Sequence, residues 1–200
     1  IVKDLLKLGK DQLATKNIAP VEAELLLAHA LGINRMELHG RVIELTNDQA
    51  SETAEIYNQA IAERLTGKPT QYIVGSAPFR YLEYEVGPGV LIPRPETESL
   101  VDEVLHQLNT FADPVSLVDL GSGTGAIAIS IASETAGKKV VHVVAVEKSK
   151  EAIVWLQKNI AKHDVSVRVI EDDVATALEG IKCDVVVANP PYLPDGAQIP

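Results

Sequence analysis

The segment that most restricts how this chain can fold is an apolar run, Val115 to Leu120, that passes through Gly121-Ser-Gly-Thr-Gly125 into a second apolar run, Ala126 to Ala132. It reads as strand, glycine loop, helix. Glycines in such a loop take up positive φ and let the backbone approach a ligand, and the helix N-terminus behind them presents free N–H groups. No Gly-Lys-Ser/Thr follows, which excludes a P-loop, and the spacing differs from Gly-x-Gly-x-x-Gly. Beyond the loop the pattern alternates: strand Val140 to Val146, helix Lys150 to Ala161, strand Ser166 to Ile170, a short helical turn near Ala175 to Leu178, and strand Cys183 to Ala188. Alternation of this kind predicts an α/β fold whose mostly parallel sheet is covered on both faces.

Ligands of such sheets bind beyond the carboxyl ends of the strands, and Gly121, Glu147, Asp173 and Asn189 all fall at those ends. Glu147 follows Gly125 by about 22 residues, where an acidic side chain accepts hydrogen bonds from both hydroxyls of a ribose. A nucleoside-bearing cofactor is the implication, although Glu147 taken singly is also an ordinary cap for the next helix. Asp173 is placed to accept from an adenine amino group, with Val174 as an apolar wall. Asp172 competes with Asp173 for that role.

The last strand closes on Asn189-Pro-Pro-Tyr192. An amide or aromatic NH2 is a poor nucleophile, because its lone pair is delocalised, so a catalyst gains most by holding it in line with a methyl donor. The Asn189 side-chain oxygen and the Pro190 carbonyl are two acceptors for the two hydrogens of one NH2. Tyr192 offers a ring for the planar group to stack on, and Pro190 and Pro191 stiffen the loop. Two prolines after a strand also serve simply to end it.

In order along the chain, Asp119-Leu-Gly-Ser-Gly-Thr-Gly125, Glu147, Asp172-Asp173 and Asn189-Pro-Pro-Tyr192 resemble a class I methyltransferase using S-adenosylmethionine. Upstream, Gln71-Tyr-Ile-Val-Gly75, Phe79 and above all Leu91-Ile-Pro-Arg-Pro-Glu-Thr-Glu98 resemble the HemK/PrmC family, the protein-(glutamine-N5) methyltransferases of peptide chain release factors. The resemblance runs from roughly Thr70 to Tyr192. It implies a Rossmann-like class I sheet and methyl transfer from S-adenosylmethionine, leaving S-adenosylhomocysteine, to the glutamine of a Gly-Gly-Gln motif in a class 1 release factor, in support of translation termination. By resemblance, Asp119, Gly121, Ser122, Gly123, Thr124, Gly125, Glu147, Asp173, Val174 and Asn189 hold the cofactor. Asn189, Pro190, Pro191 and Tyr192 bind the substrate, with Asn189, Pro190 and Tyr192 catalytic; no metal is implied. The alternative is a DNA or RNA amino-methyltransferase of the adenine N6 type, which shares the tetrapeptide.

Charge counts against that alternative. The formal net charge is −10, most of it in residues 76–200, where no cluster of Lys and Arg suits phosphate contacts. At 46% hydrophobic and 23% charged, 200 residues suffice for a substantial core and one or two domains. No stretch approaches 18 uninterrupted apolar residues, so no membrane span is expected, and the first residues lack a signal-peptide core. The single cysteine, Cys183, reads as a packed thiol in a reduced cytoplasm. A monomer is expected.

The first seventy residues read as a small helical bundle that helps hold the protein substrate: one helix through Val2, Leu5, Leu6 and Leu13, a second from Pro20 to Leu31 stopped by Gly32, and a third capped by Asn47 or Asp48. Met36 and Trp155 read as packing residues. From Gln71 to Val86 the pattern turns strand-like, as a linking β-hairpin. Pro88 to Pro95 is then a stiff loop, and Glu96 to Leu108 a helix with acidic residues in its first turn. Arg94 is expected to hold neighbouring carboxylates. The predicted domains are thus 1–69, a helical N-terminal domain; 70–90, a β-hairpin linker; and 91–200, the methyltransferase domain. Because class I domains continue past this fourth strand and only eight residues follow Tyr192, the sequence is expected to be a C-terminally truncated piece.

Overall fold

A computed structural model describes residues 1–40 and 42–190. The chain divides into two compact units, Ile1–Gly75 and Ser76–Pro200. The first contains α1 (Val2–Ala14), α2 (Pro20–Leu31), α3 (Glu37–Gly40), α4 (Asn47–Leu65) and α5 (Thr70–Val74). Leu13, Ala23, Leu26, Leu27, Tyr57 and Ile61 form its core. α1 lies so close to α4 that a Cβ on Gly9 would stand 1.9 Å from the Tyr57 hydroxyl. Glu24, barely exposed, ties three helices together by accepting from Lys10 at 2.7 Å and Arg35 at 3.0 Å and lying 3.3 Å from His39. The Lys10 bond leads in holding its carboxyl down at about 2.

Three expectations for this unit are corrected. The cap of α4 is Thr46, whose hydroxyl accepts the Gln49 N–H at 3.3 Å while the Gln49 side chain accepts the Thr46 N–H at 3.0 Å. This reciprocal box satisfies two orphan donors where an Asn47 or Asp48 cap would satisfy one. Residues 70–74 are helical rather than strand-like, entered from Pro69 and stopped by Gly75 at φ 81°. Five residues are too few for period 2 and period 3.6 to be told apart. Met36 is 66% exposed and does not pack in the core.

The second unit opens with the antiparallel hairpin of β1 (Ser76–Phe79) and β2 (Leu82–Glu85). A 3-10 turn, Pro95–Thr97, leads into α6 (Glu98–Leu108), and then come β3 (Val115–Leu120), α7 (Ala126–Thr135), β4 (Val141–Glu147), α8 (Lys150–His163), β5 (Val167–Glu171) and β6 (Val185–Ala188). Among the described residues these last four strands form one parallel sheet in the order β5-β4-β3-β6. Strand β3 is buried almost throughout, as a strand covered on both faces must be, and α7 is buried along most of its length. The expected turn near Ala175 to Leu178 is present, with Ala177 N–H donating to Asp173 O at 2.9 Å. Cys183 packs half-buried against Val118, Val146 and Ala177, and the Trp155 indole N–H donates to Pro88 O at 3.2 Å. Gly125, at φ 84°, permits α7 and α8 to pack: a Cβ there would stand 2.5 Å from Leu156 Cδ1.

Candidate functional site

The order of the sheet points to one crevice. From β3 the chain steps outward to β4 and β5, then returns to the other side of β3 as β6, and at such a reversal the loops after the two adjacent strands diverge and leave room for a ligand. The register pairs Leu120 with Ala188, so Gly121 and Asn189 leave the sheet side by side. A cavity of about 70 Å³ opens there, lined by Gly121, Ser122, Gly123 and Thr124 on one side, by Asn189, and by Phe79 and residues 91–94 and 97 of the proline-rich loop. Complete sites for small molecules run to roughly 300–1,000 Å³. The enclosed part of this one therefore suits the reacting end of a ligand rather than the whole.

Internal hydrogen bonds and positive φ angles define the shape of the glycine loop. Gly121, Gly123 and Gly125 have φ of 73°, 54° and 84°, a region in which side chains are strained. The Ser122 hydroxyl donates to Asp119 O at 2.9 Å. Glu147, at the end of β4, accepts the Gly123 N–H on Oε2 at 2.9 Å, and its Oε1 accepts the N–H groups of Lys148 and Ser149, each at 2.9 Å. A carboxylate has about four acceptor positions, so three amides leave capacity on Oε2 for one hydroxyl more.

Asp119 is the anomaly. It ends the central strand beneath the loop, is 1% exposed, and neither carboxyl oxygen has a hydrogen-bond partner. Burial pushes its carboxyl up to about 7; the Ser122 hydroxyl and the Ala128 N–H soften the effect without reaching hydrogen-bond geometry, and the nearby Glu147 charge adds to it. A buried carboxyl left without a partner costs stability unless a ligand repays it.

The other expected residues divide as follows. Asp173 accepts the Ala175 N–H at 2.9 Å and lies 3.3 Å from Lys148 Nζ, while Asp172 accepts from the Asp173 N–H at 2.7 Å and the Thr176 hydroxyl at 2.9 Å. Both carboxylates thus brace one turn, and neither they nor Val174, 49% exposed, line the cavity. Pro190 is exposed beside Asn189. Pro191 and Tyr192 lie outside the described residues. The guanidinium that gathers carboxylates beside the proline-rich loop is that of Arg80, not Arg94: it bonds Glu134 and Asp102, the latter at 2.8 Å, whereas Arg94 stands exposed at the cavity.

Three supporting side chains escaped the sequence reading. Thr97 accepts from Asn189 Nδ2 at 2.9 Å. The Tyr84 hydroxyl bonds Ser130 Oγ at 2.8 Å and donates to Ala126 O at 3.2 Å, joining the hairpin to α7. Asn159, fully buried on α8, accepts the Glu85 N–H at 2.7 Å and donates to Glu85 O at 3.0 Å and Thr124 O at 3.1 Å. Asn159→Ala is expected to cost about 3 kcal/mol by stranding buried backbone groups. A thermal melt that matched the parent would contradict this.

Two domain families match the chain: residues 4–75 match the PrmC N-terminal domain and residues 99–199 the Methyltransferase small domain. Among relatives, the release factor glutamine methyltransferase of Mycolicibacterium smegmatis is 40% identical over 183 residues, covering 90% of this chain and 61% of its own length. Those of Chlorobaculum tepidum and Bifidobacterium longum are each 36% identical, covering 97% of this chain and 68% and 70% of their own lengths. The chain spans about 60% of the length of the first of these relatives.

Proposed function

The chain belongs to the HemK/PrmC family of release factor glutamine methyltransferases, and on that premise we propose that it methylates the side-chain nitrogen (N5) of the glutamine in the Gly-Gly-Gln motif of a class 1 release factor. The observation that carries this reading is Asn189 at the sheet reversal, facing the same small cavity as the glycine loop. S-adenosylmethionine supplies a sulfonium methyl group there. The residues present fit it: Asp119 is a buried carboxyl lacking a partner for a cationic ligand, the positive-φ glycines admit a ligand close to the backbone, and Glu147 keeps an acceptor for a ribose hydroxyl. Asp173 and Val174 stand beyond β5 for the adenine, with Asp172 as the competing acceptor.

Asn189 Oδ1 and the Pro190 carbonyl grip the two amide hydrogens, and Tyr192, after Pro191, stacks on the amide plane. Acceptors on both hydrogens oppose delocalisation of the nitrogen lone pair and aim it in line, so positioning supplies most of the rate and no strong base is required. The proton leaves after the methyl arrives. The N-terminal helical unit helps hold the release factor, and the enzyme acts as a monomer in the cytoplasm. Among the described residues no helix is long and apolar enough to cross a membrane.

The test offers radiolabelled S-adenosylmethionine and full-length protein to unmodified release factor, to its Gln→Ala tip variant and to duplex DNA in parallel. Label is expected on the release factor and not on the tip variant. Label on DNA alone would replace this function with nucleic-acid amino-methylation.

A further inference from the structure

The proline-rich loop runs along one wall of the cavity and is held at both ends. At one end Val90 is buried, its Cγ2 3.9 Å from where a Cβ on Gly123 would stand, and at the other Thr97 is bonded to Asn189. Between them stands Arg94, flanked by Pro93 and Pro95. Its backbone is extended at φ −103° and ψ 136°, as the following proline favours, and its carbonyl accepts the Thr97 N–H at 3.0 Å. Arg94 is the one charged residue among those lining the cavity. Arg35, Arg64 and Arg80 each hold a carboxylate, whereas the Arg94 guanidinium has no hydrogen bond or ion pair among the described residues. Carboxylates are not scarce nearby: Glu96 and Glu98 follow it two and four positions on, and Glu98 accepts from Arg80 instead.

The methyl donor brings a group that such a cation suits. The end of S-adenosylmethionine that carries the sulfonium is an amino acid, with an ammonium and an α-carboxylate, and a carboxylate drawn out of water needs a partner. A guanidinium offers a planar fork of N–H donors that takes a carboxylate in bidentate fashion. We propose that Arg94 is a cofactor-binding residue that pairs with the α-carboxylate of S-adenosylmethionine, so that the glycine loop and the proline-rich loop hold the amino-acid end from two sides. Proline before and after Arg94 limits the backbone freedom that is lost when the pair forms. The proposal rests on S-adenosylmethionine being the methyl donor; which nitrogen accepts the methyl does not enter it.

Calorimetric titration of the full-length protein with S-adenosylmethionine and with its decarboxylated form, which keeps the sulfonium and an ammonium, tests the pairing. Arg94→Gln is expected to raise the Kd for S-adenosylmethionine about tenfold, the order of one hydrogen bond to a charged group, and to bind the decarboxylated compound no more weakly than the parent does. Arg94→Lys, which keeps the charge and loses the fork, is expected to fall between parent and Arg94→Gln for S-adenosylmethionine. A damaged loop would weaken both ligands alike, so an equal rise in the two Kd values, or a parental Kd for S-adenosylmethionine in Arg94→Gln, would overturn the role of Arg94. A parent protein that bound neither compound would overturn the cofactor assignment itself, and this proposal with it.

Discussion

Asn189→Ala is expected to lower the single-turnover rate of release factor methylation by about 10²- to 10³-fold, the range found when one preorganised group at a reacting centre is removed. The cavity is small and the side chain stands in its wall just after β6, so on the proposed function alanine would leave nothing to hold the amide hydrogen assigned to Oδ1. Cofactor affinity should change far less, because the loop that shapes that site is held by Glu147 and the Asp119 carbonyl rather than by Asn189. Rapid-quench measurement at saturating cofactor separates the two effects. An unaltered rate constant would show that the amide nitrogen is positioned by something else.

Asp119→Asn is expected to work in opposite directions on stability and on binding. A solvated carboxyl ionises near 3.8, whereas in the fold Asp119 holds its proton to about 7. Between those values the folded state binds a proton that the unfolded state has released, so the group's contribution to stability falls as pH rises through that window and levels off above about 7. The difference corresponds to about 4 kcal/mol at most. Asparagine lacks this penalty, and the variant should melt later than the parent at pH 8 but not at pH 4. Cofactor affinity behaves conversely: a cationic ligand favours the ionised carboxyl, so parental affinity should rise as pH increases through about 7, whereas the variant's should stay flat and about 10²-fold weaker above it. Calorimetric titrations at pH 6 and 8 give the comparison. A parental Kd in Asp119→Asn at pH 8 would remove the carboxylate from cofactor binding.

The parts of the fold legible in the sequence were those whose pattern is local and long. The run from Val115 to Ala132 could be little but strand, loop and helix, and repeated alternation after it specified the parallel sheet. Short or non-local features were harder. Residues 70–74 carry too few positions for their period to speak, and Thr46 outcompeted its neighbours as a cap through a partner, Gln49, rather than through its own type. Around the site, Arg80 and Arg94 are alike as residues, and only the tertiary approach of Asp102 and Glu134 shows which one binds carboxylates. Asn159 did leave a trace. Spaced three and seven residues after Leu156 and Ala152, it falls on the buried face of α8, where an amide asks for partners. Thr97 falls within the octapeptide that carries the resemblance, but its contact with Asn189 left no trace, since that partner lies 92 positions away.

The bond from Glu147 to Gly123 has a thermodynamic consequence. Confining the backbone of one residue costs roughly 1–2 kcal/mol, and a loop that ordered only around its ligand would subtract that sum, residue by residue, from the affinity. A loop braced internally by Glu147 meets part of that restriction when the polypeptide folds rather than when a ligand enters. On the proposed function, the methyl donor would then meet a loop with less ordering left to do.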